Sequence, residues 1–175
     1  NLNPEELKKI IKNYDGLVLR SATKATDEII TAGINLKIIG RAGAGVDNID
    51  LISAKKNDVI VMNTPGGNTN ATAEHTLSLL MSLYRSIPEA NIGTHKGLWE
   101  KKKFKGLELK GKKLGIIGFG NVGARFSELA IALGMSVSVF SKSFFSRNID
   151  YPKINFDSLD SVISESDIIS FHCKP

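Results

Sequence analysis

The sequence predicts an α/β protein made of two doubly wound parallel-sheet domains, and three observations predict it. Short apolar runs recur at 17–19, 36–39, 59–62, 114–117, 137–140 and 167–171, each of strand length. Helical patterns separate most of them, and strands alternating with helices read as a parallel sheet with right-handed crossovers. In the second half, Gly118-Phe119-Gly120-Asn121-Val122-Gly123 joins an apolar run directly to a helix carrying Phe126, Leu129, Ala130 and Leu133 on one face.

The first element is a helix over about 4–13. Asn3 caps it, Pro4 suits its first position, and Glu5 and Glu6 lie where the helix dipole favours a negative charge. The run 17–19 follows as a buried parallel strand with Arg20 at its carboxyl end. Open α/β sheets bind ligands at that end of their strands, so Arg20 is either an anion contact or a surface arginine at the sheet edge. Thr26 caps a two-turn helix closing near Gly33, and 36–39 returns as the next strand. Arg41 and the turn Gly43-Ala44-Gly45 then repeat the arrangement at Arg20, a cation and a polar loop at a strand tip. Asp50 caps a short helix, 59–62 is the third strand, and NTPGGN at 63–68 follows. The first domain is read as 1–64 and the second as 65–175.

The helix predicted at 72–85 has a broad apolar stripe, as of a connector buried on more than one side, and His75 in its first turn has a structural role. Pro88 starts a second helix to about 96. An irregular arm over 97–112 carries Trp99, either an interface anchor or a residue packed on its own domain. In the glycine unit each glycine has its own duty. Gly118 permits the tight turn, Gly120 lets backbone approach a diphosphate, and Gly123 lets the helix pack on the sheet. The helix opens with free N–H groups and a dipole that favour phosphate, so the unit is read as a dinucleotide site.

An acidic residue about 20 positions on would hold the ribose hydroxyls, and none is there. The strand ends in Ser141-Lys142-Ser143 with Arg147 further along, which leaves NADP use open beside NAD. Lys142 and Arg147 are either phosphate contacts or solvated loop charges. Asp157 caps a helix through Val162 and Ile163, and 167–171 is the last strand, with His172 and Cys173 just past its tip as cofactor lining.

Composition excludes other classes. The chain has 175 residues and 42% hydrophobic content, enough for one ordinary or two small globular domains. No apolar run nears about 18 residues and no secretion signal is visible, so neither a membrane nor export is expected, and a cytoplasmic location is. The single Cys173 excludes an internal disulfide framework. A net charge of +5 is spread along the chain with one dense run at 101–103 and no recognition motif, so small anions rather than nucleic acid are the expected partners.

RSATKAT at 20–26, GRAGAGVDN at 40–48, MNTP at 62–65, TAEHT at 72–76 and GFGNVG at 118–123 occur in the order seen in D-isomer-specific 2-hydroxyacid dehydrogenases. The chain resembles that family over essentially its whole length, and most closely its phosphoglycerate-oxidising branch, through RSATK and WEKKKF at 99–104. The resemblance implies a flavodoxin-like substrate domain and a Rossmann nucleotide-binding domain, both incomplete. It implies a hydride transfer between a D-2-hydroxy acid, foremost 3-phosphoglycerate in serine biosynthesis, and NAD, in a homodimer or homotetramer.

By the same resemblance Arg20, Arg41, Gly43, Asn68 and Lys101 are substrate-side residues. Ala44, Gly118, Gly120, Asn121, Val122, Gly123, Ser141, Lys142, His172 and Cys173 are cofactor-side. No metal is implied. His75, His95 and His172 do not match the family's catalytic histidine, which with its carboxylate partner and a substrate arginine is expected beyond Pro175. A leading βα unit is also absent, so the chain reads as a fragment of a larger enzyme. Two rival readings stand beside this one: an NADPH-dependent glyoxylate or hydroxypyruvate reductase, and a non-catalytic dinucleotide sensor of the same fold.

Overall fold

In the computed structural model residues 2–142 and 151–173 are described. The chain divides into two compact units, Asn1–Asn68 and Thr69–Pro175. The division falls at the end of the NTPGGN turn, after Asn68, rather than within it after residue 64. The end of the third strand is tied back into the first unit, where Thr64 N–H donates to the Gly43 carbonyl at 3.0 Å and Asn63 Nδ2 to that of Ala44 at 2.7 Å.

In the first unit α1 spans Pro4–Ile10 and continues as a tighter turn, Ile11–Asn13. The Asn3 side chain accepts from Glu6 N–H at 2.9 Å while Glu6 accepts from Asn3 N–H at 3.0 Å, a reciprocal cap. Strands β1 (Gly16–Leu19), β2 (Ile38–Arg41) and β3 (Ile60–Asn63) alternate with helices α2 (Asp27–Ala32) and α3 (Leu51–Lys56). They form a parallel sheet of order β1-β2-β3, in which Leu19 pairs with Arg41 and Arg41 with Asn63.

The helices cover one sheet face, closing a core of Leu7, Ile11, Ile29, Ile30, Ile39 and Ala54 among others. Val18, Ile60 and Met62, on the opposite face, are exposed. Two details differ from the sequence reading. Thr26 occupies the cap position of α2 but makes no capping hydrogen bond with its side chain. Strand β2 starts two residues late, where the N–H of Leu36 turns back to the Gly33 carbonyl at 2.8 Å, and it extends through Arg41, its last residue.

In the second unit α4 (Thr69–Arg85) and α5 (Ile87–His95) precede β4 (Lys113–Ile117), α6 (Asn121–Ala132), β5 (Ser136–Phe140), β6 (Ile154–Phe156), α7 (Leu159–Glu165) and β7 (Ile168–Phe171). The sheet is parallel with order β6-β5-β4-β7, which is the 3-2-1-4 half of the doubly wound fold. Its core gathers Ala73 and Leu80 of α4 with Leu114, Ile116, Phe126, Ala130, Val137 and Val139.

Here too the structure corrects particulars. Helix α4 begins at Thr69, which moves His75 into its second turn. Only part of its broad stripe is buried within the unit: Leu80 is in the core, whereas Leu79 is 59% and Leu83 74% exposed. Ser86, in the left-handed region with φ of 49°, divides α4 from α5. Strand β6 was not foreseen; it is three residues long and too brief to leave a periodic pattern. Ser158, not Asp157, caps α7, its Oγ accepting from Ser161 N–H at 3.2 Å while the Asp157 carboxylate accepts from Ser158 N–H at 2.7 Å.

Candidate functional site

The second unit has its strand order reversal at β4, whose neighbours are β5 on one side and β7 on the other. In such sheets ligands settle outside the carboxyl ends of the strands at that switch. A crevice of about 460 Å³ lies there, lined by Gly118, Gly120, Ser141, Lys142, His172 and Cys173 among others. The three glycines do different things. Gly118 has φ of 100°, and a Cβ on it would come 2.6 Å from the Cys173 amide nitrogen. A Cβ on Gly123 would drive into the Gly118 carbonyl oxygen, so the start of α6 can lie this close to the turn only as glycine. A Cβ on Gly120 would enter open space. Gly120 is therefore not required by the packing of the protein, and the room it leaves is available to a ligand.

Gly120 is also the cap residue of α6, and it brings no side chain to satisfy the first amides of the helix. The N–H groups of Asn121, Val122 and Gly123 open the helix without intrahelical acceptors, next to the positive end of its dipole. This donor set fits a diphosphate. Phe119, in the middle of the turn, is buried with its ring 4.8 Å from Tyr151 and 5.1 Å from Phe156, both edge-on, which anchors the loop. Nothing in the glycine pattern points to that anchor; the signal would have been a large apolar residue inside an otherwise polar, permissive turn.

His172 is half-buried, with Nε2 2.9 Å from Ser170 Oγ and its ring centroid 5.5 Å from that of Phe126. Burial holds its imidazole below the usual histidine value, so the ring is neutral at neutral pH. Cys173 is an exposed free thiol. Ser141 is buried at the tip of β5 and Lys142 is exposed beside it, with no carboxylate among the crevice residues. Arg147 and Ser143 lie outside the described residues.

The first unit carries the other group of predicted residues. Arg20 is exposed past the tip of β1, and its side chain has no partner among the described residues. Arg41 is only 9% exposed, with Nε and Nη1 donating into the loop that follows and Nη2 facing Ser21 in the loop after β1. The N–H of Gly43 donates to the Arg41 carbonyl at 2.9 Å, whereas those of Ala44 and Gly45 have no acceptor among the described residues. Asn68 ends this unit, exposed.

Lys101 is exposed on the arm after α5, beside a groove of about 300 Å³ that Trp99 and Phe104 line. Trp99 is 85% exposed, so it is not packed on its own unit. His75 and His95 are exposed and outside both groups. Among the described residues no cluster of three His, Cys, Asp or Glu forms a metal site.

The family model for the catalytic domain of D-isomer specific 2-hydroxyacid dehydrogenases matches residues 1–166. The chain belongs to that family. It is 45% identical over 172 residues to the hydroxypyruvate reductase of Thermotoga maritima, covering 98% of this chain and 55% of that one. It is 43% identical over 171 residues to the D-3-phosphoglycerate dehydrogenase of Synechocystis, covering 98% of this chain and 31% of that one. Among solved structures, the NAD+-bound 3-phosphoglycerate dehydrogenase of Entamoeba histolytica superposes with a TM-score of 0.76 at 35% identity, over all of this chain and 51% of that one. The chain thus spans between about a third and about half the length of these relatives.

Proposed function

We propose that this chain is the anion- and cofactor-binding part of an NAD-dependent enzyme that oxidises the 2-hydroxyl of a D-hydroxy acid, 3-phosphoglycerate foremost. The observation that carries the reading is the turn at Gly120: a helix start with no side-chain cap, three amides without intrahelical acceptors, and space that no atom of the described residues uses. The Asn121, Val122 and Gly123 amides hold the diphosphate, and His172, its imidazole neutral, lines the crevice with Cys173. Bound there, the nicotinamide supplies the hydride acceptor. In the first unit, Arg20 and the Ala44 and Gly45 amides offer a cation and two donors to a carboxylate or phosphate. The protein's share of the chemistry is then to fix both partners, which converts a bimolecular encounter into an oriented one.

One observation favours a second reading within the same chemistry. Ser141 and Lys142 stand where a carboxylate would discriminate against a 2′-phosphate, and the Thermotoga relative is a hydroxypyruvate reductase. An NADPH-dependent reduction of a 2-oxo acid is that alternative. The exposed Trp99 supports a homodimer, and the single free cysteine fits the cytoplasm. Titration of the full-length protein with NADH and NADPH, followed by kcat/KM for D-3-phosphoglycerate and hydroxypyruvate, tests the reading. Binding with turnover of phosphoglycerate is expected; hydroxypyruvate turned over with NADPH alone selects the alternative, and binding of neither nucleotide sinks both.

A further inference from the structure

Arg41 ends β2 with its guanidinium buried, and each of its nitrogens finds an acceptor nearby. Nε donates to Asn48 Oδ1 at 2.6 Å and Nη1 to the Gly45 carbonyl at 2.8 Å, while Nη2 lies 3.4 Å from Ser21 Oγ and 3.7 Å from the Asp47 carboxylate. Asn48 then uses its amide nitrogen on the carbonyls of Arg20, at 2.9 Å, and Thr23, at 2.6 Å. One guanidinium thus braces two strand-tip loops, its own and the one that starts at Arg20.

The glycines of the turn record its position. A Cβ on Gly43 would meet Nη1 at 2.5 Å, and Gly43 does not adopt a positive φ. Position 43 is glycine because the guanidinium lies against it, not because its backbone needs one. The groups left for an anion are different: the Arg20 head group and the Ala44 and Gly45 amides have no partners among the described residues.

We propose that Arg41 is a positioning residue that fixes the 42–48 turn and, through Asn48, the backbone carrying Arg20, and that it does not itself touch the substrate. The proposal rests on the reading of this chain as part of a hydroxy-acid dehydrogenase. It replaces the expectation of a direct Arg41 contact.

The test is a set of variants of the full-length enzyme, Arg41→Met, Asn48→Ala, Gly43→Ala and the Arg41→Met/Gly43→Ala double, measured for kcat, substrate KM, NADH Kd and melting temperature. Arg41→Met and Asn48→Ala each raise substrate KM about tenfold while kcat and NADH Kd stay within about twofold, the signature of lost uniform binding. Gly43→Ala raises KM when Arg41 is present but changes it by less than about twofold in the Arg41→Met background, because the atom it would strike is gone.

An unchanged KM in Asn48→Ala overturns the proposal, whether the melting temperature falls or not. So do multiplicative effects of Gly43→Ala and Arg41→Met, which a direct substrate contact would produce. Should Arg41→Met not fold, Asn48→Ala decides alone. A wild-type enzyme that binds NADH yet turns over neither hydroxy acids nor 2-oxo acids removes the underlying reading, and this proposal with it.

Discussion

His172 shows how a single side chain at a strand tip acquires its character from packing. Its ring is half-buried against Phe126 and bonded to Ser170, and burial disfavours the imidazolium. The linkage follows from that direction. The unfolded chain takes up a proton near the ordinary value of 6.5, the folded chain only at lower pH, so folding stability is intact above 6.5 and declines as pH falls below it. Thermal melting between pH 5 and 8 is therefore expected to decline less steeply on the acid side in His172→Gln than in the wild type. Parallel curves would mean that the ring stays hydrated. His172 was legible as crevice lining because it follows the last apolar run. Its neutrality was not, since Phe126 and Ser170 come to it only through the fold.

At the scale of the element, α6 with its preceding turn separates two kinds of glycine that the sequence pattern treats alike. Gly120→Ala projects into open space and costs under about 1 kcal/mol as a weaker helix cap. If the diphosphate binds at this turn as proposed, the added methyl intrudes on it, and losing charge-assisted hydrogen bonds of about 1.5–3 kcal/mol is expected to raise NADH Kd roughly tenfold to a hundredfold. Gly123→Ala strikes the Gly118 carbonyl, so it is expected to lower stability by about 1–3 kcal/mol in addition to weakening the nucleotide. Calorimetry and fluorescence titration of the two variants check this; equal losses of stability would contradict the assignment of separate duties. The elements around this turn were readable from periodicity alone. The brief β6, the two-residue shift of β2 and the cap at Ser158 were not, because each is set by a neighbour: the edge of β5, the turn at Gly33 and the Asp157 carboxylate.

For the molecule as a whole, the two units have cores without a residue in common, one built from Leu7 to Val59 and the other from Ala73 to Ile168. Each then has its own cooperative melting, and two transitions are expected in calorimetry of the chain. NADH at about a hundred times its Kd stabilises its own unit by about 2.7 kcal/mol. For a domain of this size that is a rise of roughly 10–20 °C in one transition, with the other unmoved. A single transition shifted as one would show that the cores do not melt apart. The basic balance, +5 overall, is consistent with anionic ligands in both units.

What the sequence by itself determined is the periodic and the local: parallel strands alternating with helices, a glycine turn at a helix start, cations at two strand tips, and a family membership carried by five ordered motifs. These depend on residues within a few positions of each other. Only the tertiary structure decided the division of labour among them, because it depends on distances across the chain. Gly120 faces space while Gly123 faces a carbonyl, and Arg20 has no side-chain partner among the described residues while Arg41 donates to Gly45 and Asn48. Two arginines that looked equivalent along the chain differ because one ends outside its strand and the other is the last residue within it.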